Sequence, residues 1–233
     1  MKNKNIIITS IVCCIIIFIT IIAGFKHSAP ITAKQIFNSS VKGIVELKAY
    51  SKDVGESYGT AVFLKKNGTL VSNAHVVTFN KSGEVKLFQE YSIRFINEEE
   101  YHPVLLIKYD VKKDIAILRL EDKSAKFKAI KIGNSEKLAF GDKVYAIGNG
   151  SNYGLGITQG IISIPKMNIT YENNTREVIQ ADITISAGNS GGALLDSKGN
   201  LIGITTFRIK DLTGNVVYGL VYSIPINNIL EFL

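Results

Sequence analysis

Beyond position 14 this 233-residue chain has no cysteine: its only two, Cys13 and Cys14, lie inside an N-terminal apolar run. No disulfide or cysteine-zinc framework can hold the rest together. A body of roughly 200 residues must then rest on its own apolar core. Histidine is scarce, with His27, His75 and His102 the only three. Positive charge is present but not gathered. Of the net +7, Lys2, Lys4 and Lys26 flank the apolar run, and the +4 that remains is scattered. A nucleic-acid surface needs cations grouped on one face with aromatics between them, so no nucleic-acid partner is expected.

From Ile6 to Phe25 there is no charged side chain. Twenty residues at helical rise span about 30 Å, the thickness of a bilayer core. Lys2 and Lys4 before the run keep the N-terminus in the cytoplasm under the positive-inside bias, and Lys26 and His27 weaken that asymmetry without reversing it. The reading is a cytoplasmic tail at 1–5, a single transmembrane helix at 6–25 and a body outside the cell membrane. The run exceeds the usual apolar core of a signal peptide, and Ala23-Gly24-Phe25 ends in a bulky aromatic. These features favour a retained anchor; cleavage, which would give a secreted body, stays open.

After a linker and short helix at 26–43, the text turns strand-like, with short β-branched runs punctuated by Gly, Asn and Lys. Strands are expected at Ile44–Ala49, Gly59–Leu64, Thr69–Ser72, Glu84–Phe88, Tyr91–Ile96, Val104–Tyr109 and Ile115–Leu120. A second set is expected at Val144–Ile147, Gly156–Ile164, Val178–Asp182, Ala193–Asp196, Leu201–Phe207 and Val217–Ile224. Lys65–Gly68 and Ser197–Asn200 carry hairpin-turn chemistry. Pro225 opens a last stretch with the apolar spacing of a closing helix. Many short strands and almost no helix indicate an all-β fold of barrels or a sandwich. A charged stretch at Lys123–Lys131 divides the body into halves of similar size, 44–125 and 126–233, which suits two antiparallel β-barrels side by side.

Gly188-Asn189-Ser190-Gly191-Gly192 stands directly before the apolar Ala193-Leu194-Leu195. A serine hydroxyl needs an adjacent base to act as a nucleophile, and backbone N–H groups aimed where the oxyanion forms. Glycine at 188 allows a peptide conformation that turns its N–H inward, and glycines at 191 and 192 allow close chain passage. A plain Gly-Ser turn between strands reads the same way. The pentapeptide also fits the nucleophile elbow of α/β-hydrolases, but those need a histidine after the serine, and none follows Ser190. His75 sits at the end of the Thr69–Ser72 strand reading, where its ring can face a barrel edge while Val71 and Val76 pack inward. Asp114 opens an alternating strand that can bury it against an imidazole. Asp110 competes for that role without an apolar strand behind it.

Taken in the order His, Asp, Ser, the segments SNAHVV, DIAIL and AGNSGGALL resemble the HtrA/Deg serine proteases of the trypsin-like clan. The likeness runs from about residue 34 to the C-terminus and includes GTAVF from Gly59, KIGNSEKL from Lys131, GLGITQGIIS from Gly154, QAD from Gln180 and SIPIN from Ser223. It implies two perpendicular six-stranded barrels with the active site in the cleft between them and a short C-terminal helix. It implies a catalytic triad of His75, Asp114 and Ser190, with the N–H groups of Gly188 and Ser190 as the oxyanion hole. No metal or cofactor is implied. The expected partners are polypeptide substrates and the membrane, and the family's trimers make a homotrimer an option.

Some positions depart from the pattern. Asn189 replaces the Asp that pairs with a new N-terminus in pancreatic-type relatives, so that activation route is not expected. Ala187 stands where the family commonly has Pro. The pocket before the scissile bond is expected near Thr184, with a wall at Thr205 and Thr206, and no acid or histidine there selects a basic or acidic residue. A small or medium apolar preference is expected. Most members carry PDZ domains after the protease part, and none is read here before Leu233. A catalytically silent chaperone or scaffold is the alternative function.

Overall fold

The structure, a computed structural model, describes residues 30–122, 124–171, 174–210 and 216–233. The tail at 1–5, the apolar run at 6–25 and the start of the linker lie outside the described residues. Among the described residues, no helix is long and apolar enough to cross a membrane. Residues Thr32–Leu233 form one compact unit. It opens with α1 (Ala33–Ser40), whose Thr32 and Gln35 cap each other's backbone groups in a capping box. Ile36 is its buried anchor.

The first barrel closes in the order β1 (Ile44–Ser51), β2 (Gly55–Phe63), β3 (Thr69–Ser72), β8 (Ile115–Leu120), β7 (His102–Asp110) and β6 (Glu90–Arg94). Between β3 and β6 come one helical turn, α2 (Ala74–Val77), and a separate hairpin of β4 (Thr78–Lys81) and β5 (Glu84–Leu87). The second barrel closes through β10 (Gly156–Tyr171), β11 (Asn174–Asp182), β14 (Val216–Pro225), β13 (Leu201–Lys210), β12 (Ala193–Asp196) and β9 (Lys143–Gly148). α2 corrects the strand-end placement of His75, and β4 was not foreseen. The chain ends in α3 (Ile226–Phe232), which buries Ile226 and Ile229.

Strand alternation sorts the apolar residues into three cores. Val45, Leu47, Phe63, Leu70, Ala116 and Leu118 fill the first barrel. Val144, Ala146, Ile162, Ile179, Leu194 and Ile202 fill the second. The third core lies between the barrels: Ile44, Val62, Val71, Ile115 and Ile117 of one meet Tyr145, Ile147, Ala193, Leu195 and Ile204 of the other. Strands β3, β8, β9 and β12 are thus buried on both faces, which explains continuous apolar runs such as Ile115-Ala116-Ile117-Leu118. That double burial fixes the barrels against each other, and the loops at the ends of these four strands inherit its rigidity.

Candidate active site

β3 and β8 are antiparallel, with Ser72 opposite Ala116. The end of β3 therefore lies beside the start of β8, and His75, just past the one, meets Asp114, just before the other. Both oxygens of the Asp114 carboxylate lie 3.0 Å from His75 Nδ1. The backbone N–H of His75 also donates to Oδ1 at 3.0 Å. An ionised carboxylate can only accept, so Nδ1 carries a proton, and when the ring is neutral Nε2 is its basic nitrogen. The Asp114 side chain is 4% exposed while the His75 side chain is 49% exposed, so the ring bridges a buried charge and the surface.

Thr206 on β13 reaches across from the second barrel and donates its hydroxyl to Asp114 Oδ2 at 2.5 Å. Burial pushes the Asp114 carboxyl up, but the charge of His75, its hydrogen bonds and that of Thr206 outweigh burial and hold it below the ordinary carboxylate range. The carbonyl of the same Thr206 accepts from Ser190 Oγ at 3.0 Å. One residue therefore touches Ser190 with its backbone and Asp114 with its side chain. His75 and Asp114 meet directly, and Ser190 joins them through Thr206.

The loop that carries Ser190 is tied down from both barrels. Thr60 on β2 donates its N–H to the Ser190 carbonyl at 2.8 Å and its hydroxyl to the Gly188 carbonyl at 2.8 Å. Thr205 donates its hydroxyl to the Asn189 carbonyl at 2.5 Å and accepts at its own carbonyl from Gly191 N–H at 2.8 Å. Glycine is required at two places. Gly188 has φ +89°, and a Cβ there would lie 2.2 Å from the Asn149 carbonyl oxygen. Gly191 has φ +81°, and its Cβ would lie 2.1 Å from the Thr60 carbonyl oxygen. Neither space nor backbone conformation admits a side chain. In this loop the N–H groups of Gly188 and Ser190 have no acceptor among the described residues. Backbone donors left without an acceptor beside a nucleophilic serine are the kind of group that can receive an anionic oxygen.

Of the positions read as a substrate pocket, Thr184 is exposed, and its carbonyl accepts from the Thr158 hydroxyl at 2.8 Å. Thr205 and Thr206 are buried, with their hydroxyls directed at Asn189 and Asp114. Among the described residues no three His, Cys, Asp or Glu side chains gather as a metal site. The bracing roles of Thr60 and Thr206 were not read from the sequence. Their partners lie 128 and 92 residues away, and no local pattern announces such bonds.

The trypsin-like peptidase domain family matches residues 59–204 of this chain. The chain belongs to that family. Within it, the relatives are of HtrA type. A probable periplasmic serine endoprotease, DegP-like, of Buchnera aphidicola is 40% identical over 72% of this chain and 34% of its own length. The serine protease Do-like HtrA of Lactobacillus helveticus is 33% identical over 81% of this chain and 43% of its own. The serine endoprotease DegS of Haemophilus influenzae is 29% identical over 88% and 58%. The chain thus spans about a third to three-fifths of the length of these curated relatives. The HtrA-type protease AlgW, solved with a tripeptide, superposes with TM-score 0.73 at 30% identity, covering 86% of this chain and 62% of that one. AlgW with a decapeptide gives TM-score 0.72 at 26% identity over 87% and 66%. The two closed barrels of this trypsin-like domain are the fold expected from the motifs, and the family is the one they resemble.

Proposed function

We propose that this HtrA-type domain is a serine endopeptidase in which Ser190 is the nucleophile, His75 the general base and Asp114 the group that orients the ring. The observation that carries this reading is the buried Asp114 carboxylate on His75 Nδ1 at 3.0 Å, joined through Thr206 to the Ser190 hydroxyl. The Ser190 hydroxyl proton passes to Nε2 as Oγ attacks the scissile carbonyl carbon. The carbonyl oxygen becomes an oxyanion held by the N–H groups of Gly188 and Ser190. Collapse breaks the C–N bond, the imidazolium gives its proton to the leaving amine, and an acyl-enzyme remains. Water then attacks the ester, giving its proton to Nε2, and the Ser190 hydroxyl is restored.

The substrates in this reading are unfolded or exported polypeptides, supported by the kinship with HtrA-type proteases. A small or medium apolar residue is favoured before the cut, since no acid or histidine stands at Thr184, Thr205 or Thr206; a peptide-library profile dominated by cleavage after Arg or Glu would reverse that preference. The uncharged run at 6–25 behind Lys2 and Lys4 supports a single-pass anchor with the barrels outside the membrane. Recovery of the full chain in the membrane fraction after alkaline carbonate washing tests the anchor, and its release would count against it. The activity test is digestion of unfolded casein by the soluble domain. Digestion by the native protein and none by Ser190→Ala is expected; equal digestion by both would remove Ser190 from the mechanism.

A further inference from the structure

Between β7 and β8 the chain reverses through Val111–Asp114, and Asp114 takes φ +57°, a left-handed conformation uncommon for a residue with a side chain. Such a conformation persists only where its surroundings determine it. Inside the turn, the Asp110 carboxylate accepts from Lys113 N–H at 2.9 Å. On the His75 side, Asn73 Nδ2 donates to the Asp114 carbonyl at 3.0 Å. The outer carbonyls are gripped from the other barrel. Arg176 on β11 donates from Nε to the Lys112 carbonyl at 2.7 Å and from Nη2 to the Val111 carbonyl at 3.0 Å.

A planar guanidinium fork on two consecutive carbonyls fixes both the position and the tilt of a peptide, which a single ammonium cannot do. The neighbouring carboxylates do not compete for it. Lys166 lies 3.0 Å from Glu177 and 3.4 Å from Glu136, and among the described residues Arg176 makes no ion pair. Its charge-assisted bonds go to the turn. The turn in turn sets the carboxylate: a displacement of about 1 Å would carry the 3.0 Å contacts of Asp114 with His75 beyond hydrogen-bond range.

We infer that Arg176 is a positioning residue: by holding the Val111 and Lys112 carbonyls from the second barrel, it sets the turn that presents Asp114 to His75. The inference rests on the protease reading for its kinetic consequence but not for the geometry. Arg176 touches no reacting atom. It makes the orientation of the imidazole depend on the packing of one barrel against the other.

The test compares the wild-type protein with R176A and R176K, the latter keeping the charge and serving as the comparison should R176A fail to fold. The first readout is the downfield proton resonance of His75 Nδ1–H. It is expected to move or broaden in R176A and to change less in R176K. The second is turnover per site titrated by a fluorophosphonate. kcat is expected to fall about tenfold or more in R176A, with KM within about twofold, because misplacement of an orienting group acts on the chemical step. A merely structural arginine would lower the titratable fraction and the melting temperature, leaving both the resonance and the turnover per titrated site unchanged. That result overturns the inference. A wild-type protein that takes no label would instead count against the protease reading, while the resonance still decides the role of Arg176.

Discussion

Replacing Thr206 by valine removes one hydroxyl and keeps the β-branched shape at a residue 2% exposed. Asp114 Oδ2 then loses the 2.5 Å bond from Thr206 and keeps only His75 Nδ1. A hydrogen bond to a charged group contributes about 1.5–3 kcal/mol, and water has little access to an aspartate side chain that is 4% exposed. Thr206→Val is expected to be about 2 kcal/mol less stable at neutral pH. Felt in full at the transition state, about 2 kcal/mol is roughly thirtyfold in kcat/KM. The pH dependence has a definite sign. The native Asp114 carboxyl is held below its ordinary range, so its stabilisation is present above the unfolded value and lost as pH falls through the native one. Thr206→Val removes one of the lowering causes, so the variant's native value lies above that of the wild type, and the gap between the two proteins narrows as pH falls through these native values. Urea denaturation at neutral pH and at successively more acid pH measures it. A gap under about 0.5 kcal/mol at neutral pH, or one unchanged by acid, would refute the reasoning.

Gly191→Ala places a Cβ 2.1 Å from the Thr60 carbonyl oxygen at φ +81°. Backbone strain and overpacking together are expected to cost about 3–5 kcal/mol, read as a lowered urea midpoint; a loss under about 1 kcal/mol would show that the loop can move aside. Burial, with a smaller contribution from Tyr109, pushes the Tyr91 phenol up to about 12. Its stabilisation is fully present below the ordinary tyrosine value and lost as pH rises through about 12. Stability of the native protein should therefore fall over that alkaline window more steeply than that of Tyr91→Phe, and parallel curves would contradict it.

Local pattern reaches some elements of the body and not others. β8 was legible to the residue because Ile115–Leu118 is buried on both faces, one toward its own barrel and one toward the other. The hairpins at 65–68 and 197–200 announced themselves through turn chemistry. α2 was not legible, since four residues are too few for a helical period to show. β4, with Asn80 and Lys81 exposed, offers no alternation to read. β10 was expected over Gly156–Ile164, ending just before Pro165. It runs on to Tyr171 because Pro165 falls where the pairing with β11 shifts register between Ile164 and Met167. In the site, order and flanking motifs singled out His75, Asp114 and Ser190; the structure brings His75 and Asp114 into contact, and Ser190 reaches Asp114 through Thr206. The bracing roles of Thr60, Thr206 and Arg176 were not legible, because each acts through a bond between barrels that only closure of the fold creates.

Convergence of the three side chains is tested most directly by the mass of a single peptide. A fluorophosphonate added to the native protein is expected to leave one phosphonyl group on Ser190, at a rate that collapses in His75→Ala while the barrels stay folded by circular dichroism. A label found on another residue, or one on Ser190 formed equally fast without the imidazole, would contradict the account.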